Sequence, residues 1–295
     1  MNAAVSFSII IPLFNKEKSV AHTIQSILNQ SYNHFELIIV DDGSTDDSLA
    51  IINSFRDSRI RIFKQNNQEP SGARNTGIAQ SSFAWLLFID ADNTLTPDAL
   101  KYLAEKVNSY PNIDLFIGAY KNDDQLIRRY NKTKLIRNGH RAFVLNWLFL
   151  LTGTFICRKS LVENIRYDPR LWKLEDVDFM LRVERSLLHK KRILYFPFVL
   201  ALRSSAFAEA SKVSRPISKD FRGYLNLSAK SFWERIATYN LFISCQLDYP
   251  EDSKVLYPQW EKKRMIKTVW VIINYYRLIR FKVRRWNRLF LFKHE

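Results

Sequence analysis

Glycine is scarce in this chain, with seven in 295 residues, and cysteine is scarcer, with two. Cys157 and Cys245 lie far apart and outside any CxxC spacing, which excludes a disulfide framework or zinc ribbon and fits a reducing compartment. Acidic residues are also short, 29 against 45 lysines and arginines, a formal net charge of +16. No apolar run approaches the roughly 18 residues needed to span a bilayer. The longest, Ala142–Leu151 and Ile193–Leu202, are broken by Asn146 and Pro197. The first apolar run ends at Pro12 with no basic segment before it, so the N-terminus does not read as a signal peptide. There is no GxGxxG or Walker loop, and His22, His34, His140 and His189 each lack a second ligand at metal spacing.

The few glycines are not scattered. Gly43, Gly72, Gly77 and Gly153 fall in the segments that carry the acids described next, where positive φ or close backbone approach is needed. Ordinary turn chemistry is the plain alternative for each taken singly. The stretch Trp85-Leu-Leu-Phe-Ile-Asp-Ala-Asp-Asn93 reads as a buried strand with two carboxylates, Asp90 and Asp92, at its carboxyl end. Ligands of α/β sheets bind beyond such ends, and oxygen ligands there suit Mg²⁺ or Mn²⁺ carrying a diphosphate. A capped turn is the bland alternative. Phe35–Val40 ends the same way, in Asp41, Asp42 and Gly43, with Ser44 or Thr45 expected to cap a helix over 46–55. Phe7–Pro12 is a third strand, followed by Leu13-Phe14-Asn15 and by a helix expected over 16–29 with Ser19 as its cap.

Further strands are expected at 60–63 and 114–119, with helices at 72–80 and 97–108. This alternation implies an α/β fold with a single, mainly parallel central sheet flanked by helices. It places Pro12, Asp42, Asp90 and Asp92 along one rim.

Ser8-Ile-Ile-Ile-Pro-Leu-Phe-Asn15, Ile39-Val-Asp-Asp-Gly-Ser44, Gly72-Ala-Arg-Asn-Thr-Gly77, Phe88-Ile-Asp-Ala-Asp92 and Lys173-Leu-Glu-Asp-Val-Asp-Phe-Met-Leu-Arg182 occur in that order. Together they resemble the family 2 glycosyltransferases, inverting enzymes with a nucleotide-sugar-binding fold of the GT-A type. The resemblance runs from Ser6 to Arg203. It implies that the Pro12–Phe14 backbone and Asp42 hold the nucleotide base and that Arg74 lies beside the base or phosphates. Asp90 would sit near the ribose or sugar, Asp92 would bind the metal, and Asp176 would be the catalytic base with Glu175 beside it. A uridine-diphosphate sugar is the favoured donor, and a glycan or lipid-linked hydroxyl the acceptor, in cell-surface polysaccharide synthesis.

The chemistry is coherent on its own terms. A divalent ion on Asp92 neutralises the leaving diphosphate, and one carboxylate on the opposite face of the sugar deprotonates the acceptor. Asp176 begins an amphipathic helix (Val177, Met180, Leu181, Val183, Leu187), whose N-terminus favours its charge, although acids favour the first turn of any helix. One base and direct attack give inversion. Two departures from the family stand out. The stretch Ala201-Leu-Arg-Ser-Ser205 lacks the histidine that often completes the metal site, leaving Arg203 as a neutralising group, and Asn93 stands where a further acid is common.

The donor half is expected over 1–119 and an acceptor half over 120–205. In the latter, Gly153 opens a strand and Trp172 offers a face for a sugar ring, or simply packs in the core. Residues 206–295 form a C-terminal extension, with a loop over 204–219 expected to close on bound donor. From Lys254 onward twelve basic residues face two acids, so ten of the sixteen excess positive charges lie there. Val269, Ile272, Tyr276, Ile279, Val283, Trp286 and Phe290 form a helical seam beside an arginine stripe, which suits an anionic membrane surface on the cytoplasmic side. Docking on the catalytic domain is the alternative. Nucleic acid is disfavoured as a partner because the site itself is acidic. A non-catalytic scaffold of the same fold is the remaining rival.

Overall fold

The computed structural model describes residues 4–128, 130–146, 151–169, 171, 175–187 and 192–204. Trp172, the expected loop over 204–219 beyond Ser204, Cys245 and the basic helix expected within 254–295 lie outside them. The chain divides into two compact units, Met1–Gly139 with Phe149–Phe221, and His140–Leu148 with Arg222–Glu295. Among the described residues the elements run β1 (Phe7–Leu13), α1 (Val20–Leu28), β2 (Phe35–Asp41), α2 (Ser48–Ser54), β3 (Ile60–Lys64), α3 (Glu69–Gln80), β4 (Trp85–Phe88), β5 (Asn93–Leu95) and α4 (Ala99–Ser109). They continue as β6 (Leu115–Asn122), β7 (Gln125–Ile127), β8 (Lys134–Ile136), α5 (Gly139–Asn146), β9 (Phe155–Arg158), α6 (Lys159–Val162), α7 (Glu175–Ser186) and β10 (Ile193–Arg203). All but α5 belong to the first unit; α5 starts at that unit's last residue and is the only described element of the second.

One sheet holds all ten strands in the order β3-β2-β1-β4-β9-β6-β10-β5, with β7 on β6 and β8 on β10. The pairs β3–β2, β2–β1, β1–β4 and β6–β10 are parallel, and β9 enters antiparallel between β4 and β6. The continuous apolar runs of β1 and β2 are explained by burial on both faces: every residue of β2 is buried. Glu36, in its middle, survives there because Ser8 Oγ (2.6 Å), Ser82 N–H (2.5 Å) and Arg61 (2.6 Å) donate to its carboxylate. Burial opposes its charge, but these donors outweigh burial and hold its pKa below the ordinary range. The core beneath joins Ile9, Ile11, Leu37, Ile39, Leu87 and Phe116 with Ile24 and Ile27 of α1 and Leu100 and Leu103 of α4.

Helix α3 lies against β1 so closely that a Cβ on Gly77 would stand 2.3 Å from Ile10 Cγ2. Glycine there is a packing requirement, and it fixes the helix that carries Arg74. The expected helix starts need correction. Helix α1 begins at Val20 rather than Lys16, and α2 at Ser48 rather than Asp46, with Asp47 at its cap position. The hydroxyls of Ser44 and Ser48 are engaged elsewhere, as acceptors for the backbone N–H groups of Asn15 and Lys16. Strand β10 carries Pro197 inside it. Its register with β6 slips between Tyr195 and Val199, where the missing N–H is tolerated by an irregularity. No helix among the described residues is long and apolar enough to cross a membrane.

Candidate active site

Short backbone bonds tie the residues just beyond each parallel strand to the neighbouring strand. Asp42 N–H donates to Leu13 O (2.8 Å), Gln65 N–H to Asp41 O (2.9 Å) and Ile89 N–H to Ile10 O (3.0 Å). The acids at 41–42 and 90–92 therefore leave the sheet along one rim. The two acids after β2 then diverge in role. Asp41 accepts from Ser44 N–H (3.1 Å) and closes the turn. Asp42 is buried, and its Oδ1 accepts from Gln65 Nε2 (2.7 Å) and Gln68 N–H (2.8 Å). Thr76 Oγ1 donates to Gln65 Oε1 (2.7 Å), so the amide cannot turn over without losing a bond. Burial, then the nearby Glu69 charge, raise the Asp42 pKa despite the hydrogen bonds that oppose them. Pro12 pairs with Val40, and Phe14 leaves the strand with 38% of its surface exposed. A donor-hungry carboxylate thus lies in the same strand-end region as an open aromatic ring, which fits a planar base carrying an N–H.

Arg74 forms the centre of a second group. Its Nη2 donates to Asp90 Oδ1 (2.9 Å), its Nη1 to Glu175 Oε1 (2.8 Å), and its guanidinium carbon lies 5.2 Å from the Tyr167 ring centroid. Burial works against this charge, but Asp90 and Glu175 outweigh it and raise the pKa of the guanidinium further. Asp90 is held below the ordinary carboxylate range for the matching reason, with burial opposed by Arg74 and by Thr152 Oγ1, which donates to Oδ2 (2.5 Å). Both oxygens of Asp90 therefore have internal partners. Asp92 differs, since its Oδ2 accepts from Lys16 Nζ (2.7 Å) in an ion pair about one-fifth exposed on each side.

Helix α7 brings Glu175 and Asp176 to the same group. Its inner face (Val177, Phe179, Met180, Leu181, Val183) is buried, and Phe179 stacks on Tyr167 with centroids 4.0 Å apart. Asp176 accepts from Val177 N–H (2.8 Å). Burial first, and the adjacent Glu175 charge second, push its pKa up to about 7 against the pull of Arg74. A carboxylate poised there is matched to taking a proton near neutrality. Arg203, the last residue of β10, pairs with Asn93 in register, and its charge helps hold Asp90 ionised.

Gly153 has φ +81, donates its N–H to Phe88 O (2.5 Å), and would place a Cβ 2.9 Å from that of Ala201. It crosses the end of β4 and so sets Thr152 on Asp90. Gly153→Ala is expected to destabilise the protein by about 2 kcal/mol through positive-φ strain and the Ala201 contact, read as a lower urea midpoint with an unchanged slope. A midpoint equal to that of the native sequence would sink this account.

For a divalent ion the residues fit on one condition. Among the described residues no three His, Cys, Asp or Glu side chains converge as a metal-ligating group. Asp92 already carries the Lys16 ammonium, and a single carboxylate would suffice for Mg²⁺ where a diphosphate supplies further oxygens.

The structure joins Arg74, Asp90 and Glu175 through direct bonds, with Asp176 beside Glu175, while Asp92 pairs with Lys16 and Asp42 with Gln65 and Gln68. It adds Lys16, Gln65, Thr152 and Tyr167. Only Gln65 carries a signal, standing beyond β3 as Asp42 stands beyond β2.

Solved structures share this architecture. S. aureus TarS residues 1–349 in complex with UDP-GlcNAc matches with a TM-score of 0.65 at 19% identity, over 91% of this chain and 79% of that one. The fold is thus the GT-A-type α/β fold of glycosyltransferases. Residues 8–166 match the Glycosyl transferase family 2, and the chain belongs to that family and is a glycosyltransferase. A Haemophilus influenzae protein described as an uncharacterized glycosyltransferase is 30% identical over 80% of this chain and 86% of its own length. The GalNAc(5)-diNAcBac-PP-undecaprenol beta-1,3-glucosyltransferase of Campylobacter jejuni is 28% identical over 75% and 72%. The minor teichoic acid biosynthesis protein GgaA of Bacillus subtilis is 33% identical, but this chain spans only 44% of it.

Proposed function

We propose that the chain is an inverting transferase that moves a sugar from a nucleoside-diphosphate sugar, UDP-linked in preference, to a hydroxyl of a bacterial surface or lipid-linked glycan. The observation that carries this reading is the joining of Asp90, Glu175 and Arg74 at one sheet rim, with Asp176 next to Glu175 held near neutrality. The UDP complexes of TarS and the glycan-building relatives support the donor and acceptor classes. The catalytic domain in this reading spans 1–205.

In this mechanism the nucleotide base lies by Phe14, with the Asp42 carboxylate accepting its imide N–H. Asp92 would hold Mg²⁺ or Mn²⁺, and the ion when bound supplies the positive charge that makes the diphosphate a good leaving group. Arg74 keeps Asp90 ionised and orients both Asp90 and Glu175, Asp90 for the ribose or sugar hydroxyls. Asp176 accepts the proton of the acceptor hydroxyl while that oxygen attacks the anomeric carbon from the face opposite the diphosphate. The C–O bond to the new sugar forms as the bond to phosphate breaks, so configuration inverts.

The test is a calorimetric panel of UDP, GDP and dTDP with and without Mn²⁺, on the native sequence and on Asp92→Asn. Tightest binding of UDP with Mn²⁺, and loss of the Mn²⁺-dependent part in Asp92→Asn by about tenfold or more, are expected. Tight GDP binding without UDP binding would contradict the donor assignment, and an unaltered Mn²⁺ effect in Asp92→Asn would contradict the metal assignment.

A further inference from the structure

The loop after β1 is built more rigidly than a strand-to-helix connection needs. Asn15 takes φ +50, an uncommon value for a residue other than glycine. Its N–H donates to Ser44 Oγ (3.1 Å), and its side-chain Oδ1 accepts from Thr45 N–H (2.8 Å). Lys16 N–H donates to Ser48 Oγ (2.7 Å) and Glu17 N–H to Asp46 Oδ2 (3.1 Å). Three successive residues are thus clamped to the loop before α2. The Lys16 side chain instead crosses to Asp92, 76 positions away in sequence, with Nζ 2.7 Å from Oδ2.

A partly exposed ion pair adds modest stability, on the order of 1 kcal/mol, and does not by itself account for so fixed a backbone. The pair also sits unequally within the Asp-Ala-Asp segment. Both oxygens of Asp90 are committed to Arg74 and Thr152, whereas Asp92 is held by a flexible, partly exposed ammonium. A lysine is a compact point charge on a four-carbon stem, able to exchange one oxygen partner for another without moving its backbone.

We propose that Lys16 is a diphosphate-positioning residue: its ammonium rests on Asp92 in the donor-free protein and passes to a phosphate oxygen of the donor once Mg²⁺ or Mn²⁺ engages Asp92. This rests on the reading of Asp92 as the metal ligand. It also accounts for a site with a single metal-directed carboxylate, since the lysine supplies the second positive charge that the diphosphate needs. The exchange predicts effects of opposite sign on the two ligands when Lys16 is neutralised.

The experiment measures Mn²⁺ affinity without nucleotide, by calorimetry and by the electron paramagnetic resonance signal of free Mn²⁺, and UDP affinity at saturating Mn²⁺. It compares the full chain with Lys16→Gln and Lys16→Arg. Lys16→Gln is expected to bind Mn²⁺ about tenfold more tightly, because its competitor for Asp92 is gone, and UDP about tenfold more weakly; tenfold corresponds to about 1.4 kcal/mol. Lys16→Arg is expected to keep UDP affinity within about threefold. An unchanged Mn²⁺ affinity in Lys16→Gln overturns the proposal, as does a fall in both affinities with a lower melting temperature, which would make the lysine a strut for the loop. Failure of the underlying reading looks different: Asp92→Asn would then bind Mn²⁺ as the native sequence does. If UDP does not bind at all, the donor assignment falls while the Mn²⁺ measurement still decides on Lys16.

Discussion

Asp176→Asn is expected to lower kcat by about 10²–10⁴-fold, the range for removing a positioned general base, while donor affinity stays at its native value. The carboxylate acts only as the acceptor loses its proton, so the ground-state complex with donor does not need it. The pH dependence follows from the raised pKa of about 7. Below that value the group carries a proton and cannot take another, so kcat/KM is expected to fall roughly tenfold per pH unit on the acid side and to level off above. Stability runs the other way. The folded-state pKa lies above the value in the unfolded chain, so the folded protein binds the extra proton between the two. Its stability therefore declines as pH rises through that interval and remains lower above about 7. Asp176→Asn removes this decline and is expected to melt higher than the native sequence at pH 8. Near-native turnover by the variant, or an acid limb that survives in it, would take the base role from Asp176.

The strands and the acids at their ends were legible because burial on both faces writes itself as an unbroken apolar run. Leu37–Val40 and Trp85–Ile89 are such runs, each with carboxylates just beyond it. Helix starts were less legible, because Ser44 and Thr45, expected as caps, are instead bonded to Asn15 of the neighbouring loop. The antiparallel insertion of β9 and the short β5 against β10 were not legible, since pairing over such separations leaves no local period. The same holds for the network of the site. Arg74 and Glu175 are 101 positions apart, and Thr152 and Asp90 are 62. Residue types announce that a charge is present, whereas only the fold says which opposite charge it faces.

Arg74 shows what that difference implies. The family resemblance puts it beside the base or phosphates, yet both its terminal nitrogens are bonded to Asp90 and Glu175, with only 5% of its side chain exposed. Arg74→Met replaces a buried cation by a neutral side chain of similar length and leaves Asp90 and Glu175 without the charge they share. Breaking a buried ion pair from one side commonly destabilises by about 3–5 kcal/mol. Since Asp90 keeps about 30% of its side chain in solvent, the lower end applies here. The expected result is a loss of about 3 kcal/mol in urea unfolding, relieved by lowering the pH until Asp90 protonates. A second consequence separates this role from direct donor contact. Arg74 now pulls the Asp176 pKa downward, so without it the acid limb of kcat/KM moves to higher pH in whatever fraction remains folded. If Arg74 instead served mainly to grip the donor, Arg74→Met would weaken UDP binding with little change in unfolding free energy or in the position of the acid limb. Arg74→Lys sharpens the comparison. It keeps the charge but has no planar fork to reach both carboxylates at once, so it should restore much of the pH profile and only part of the stability.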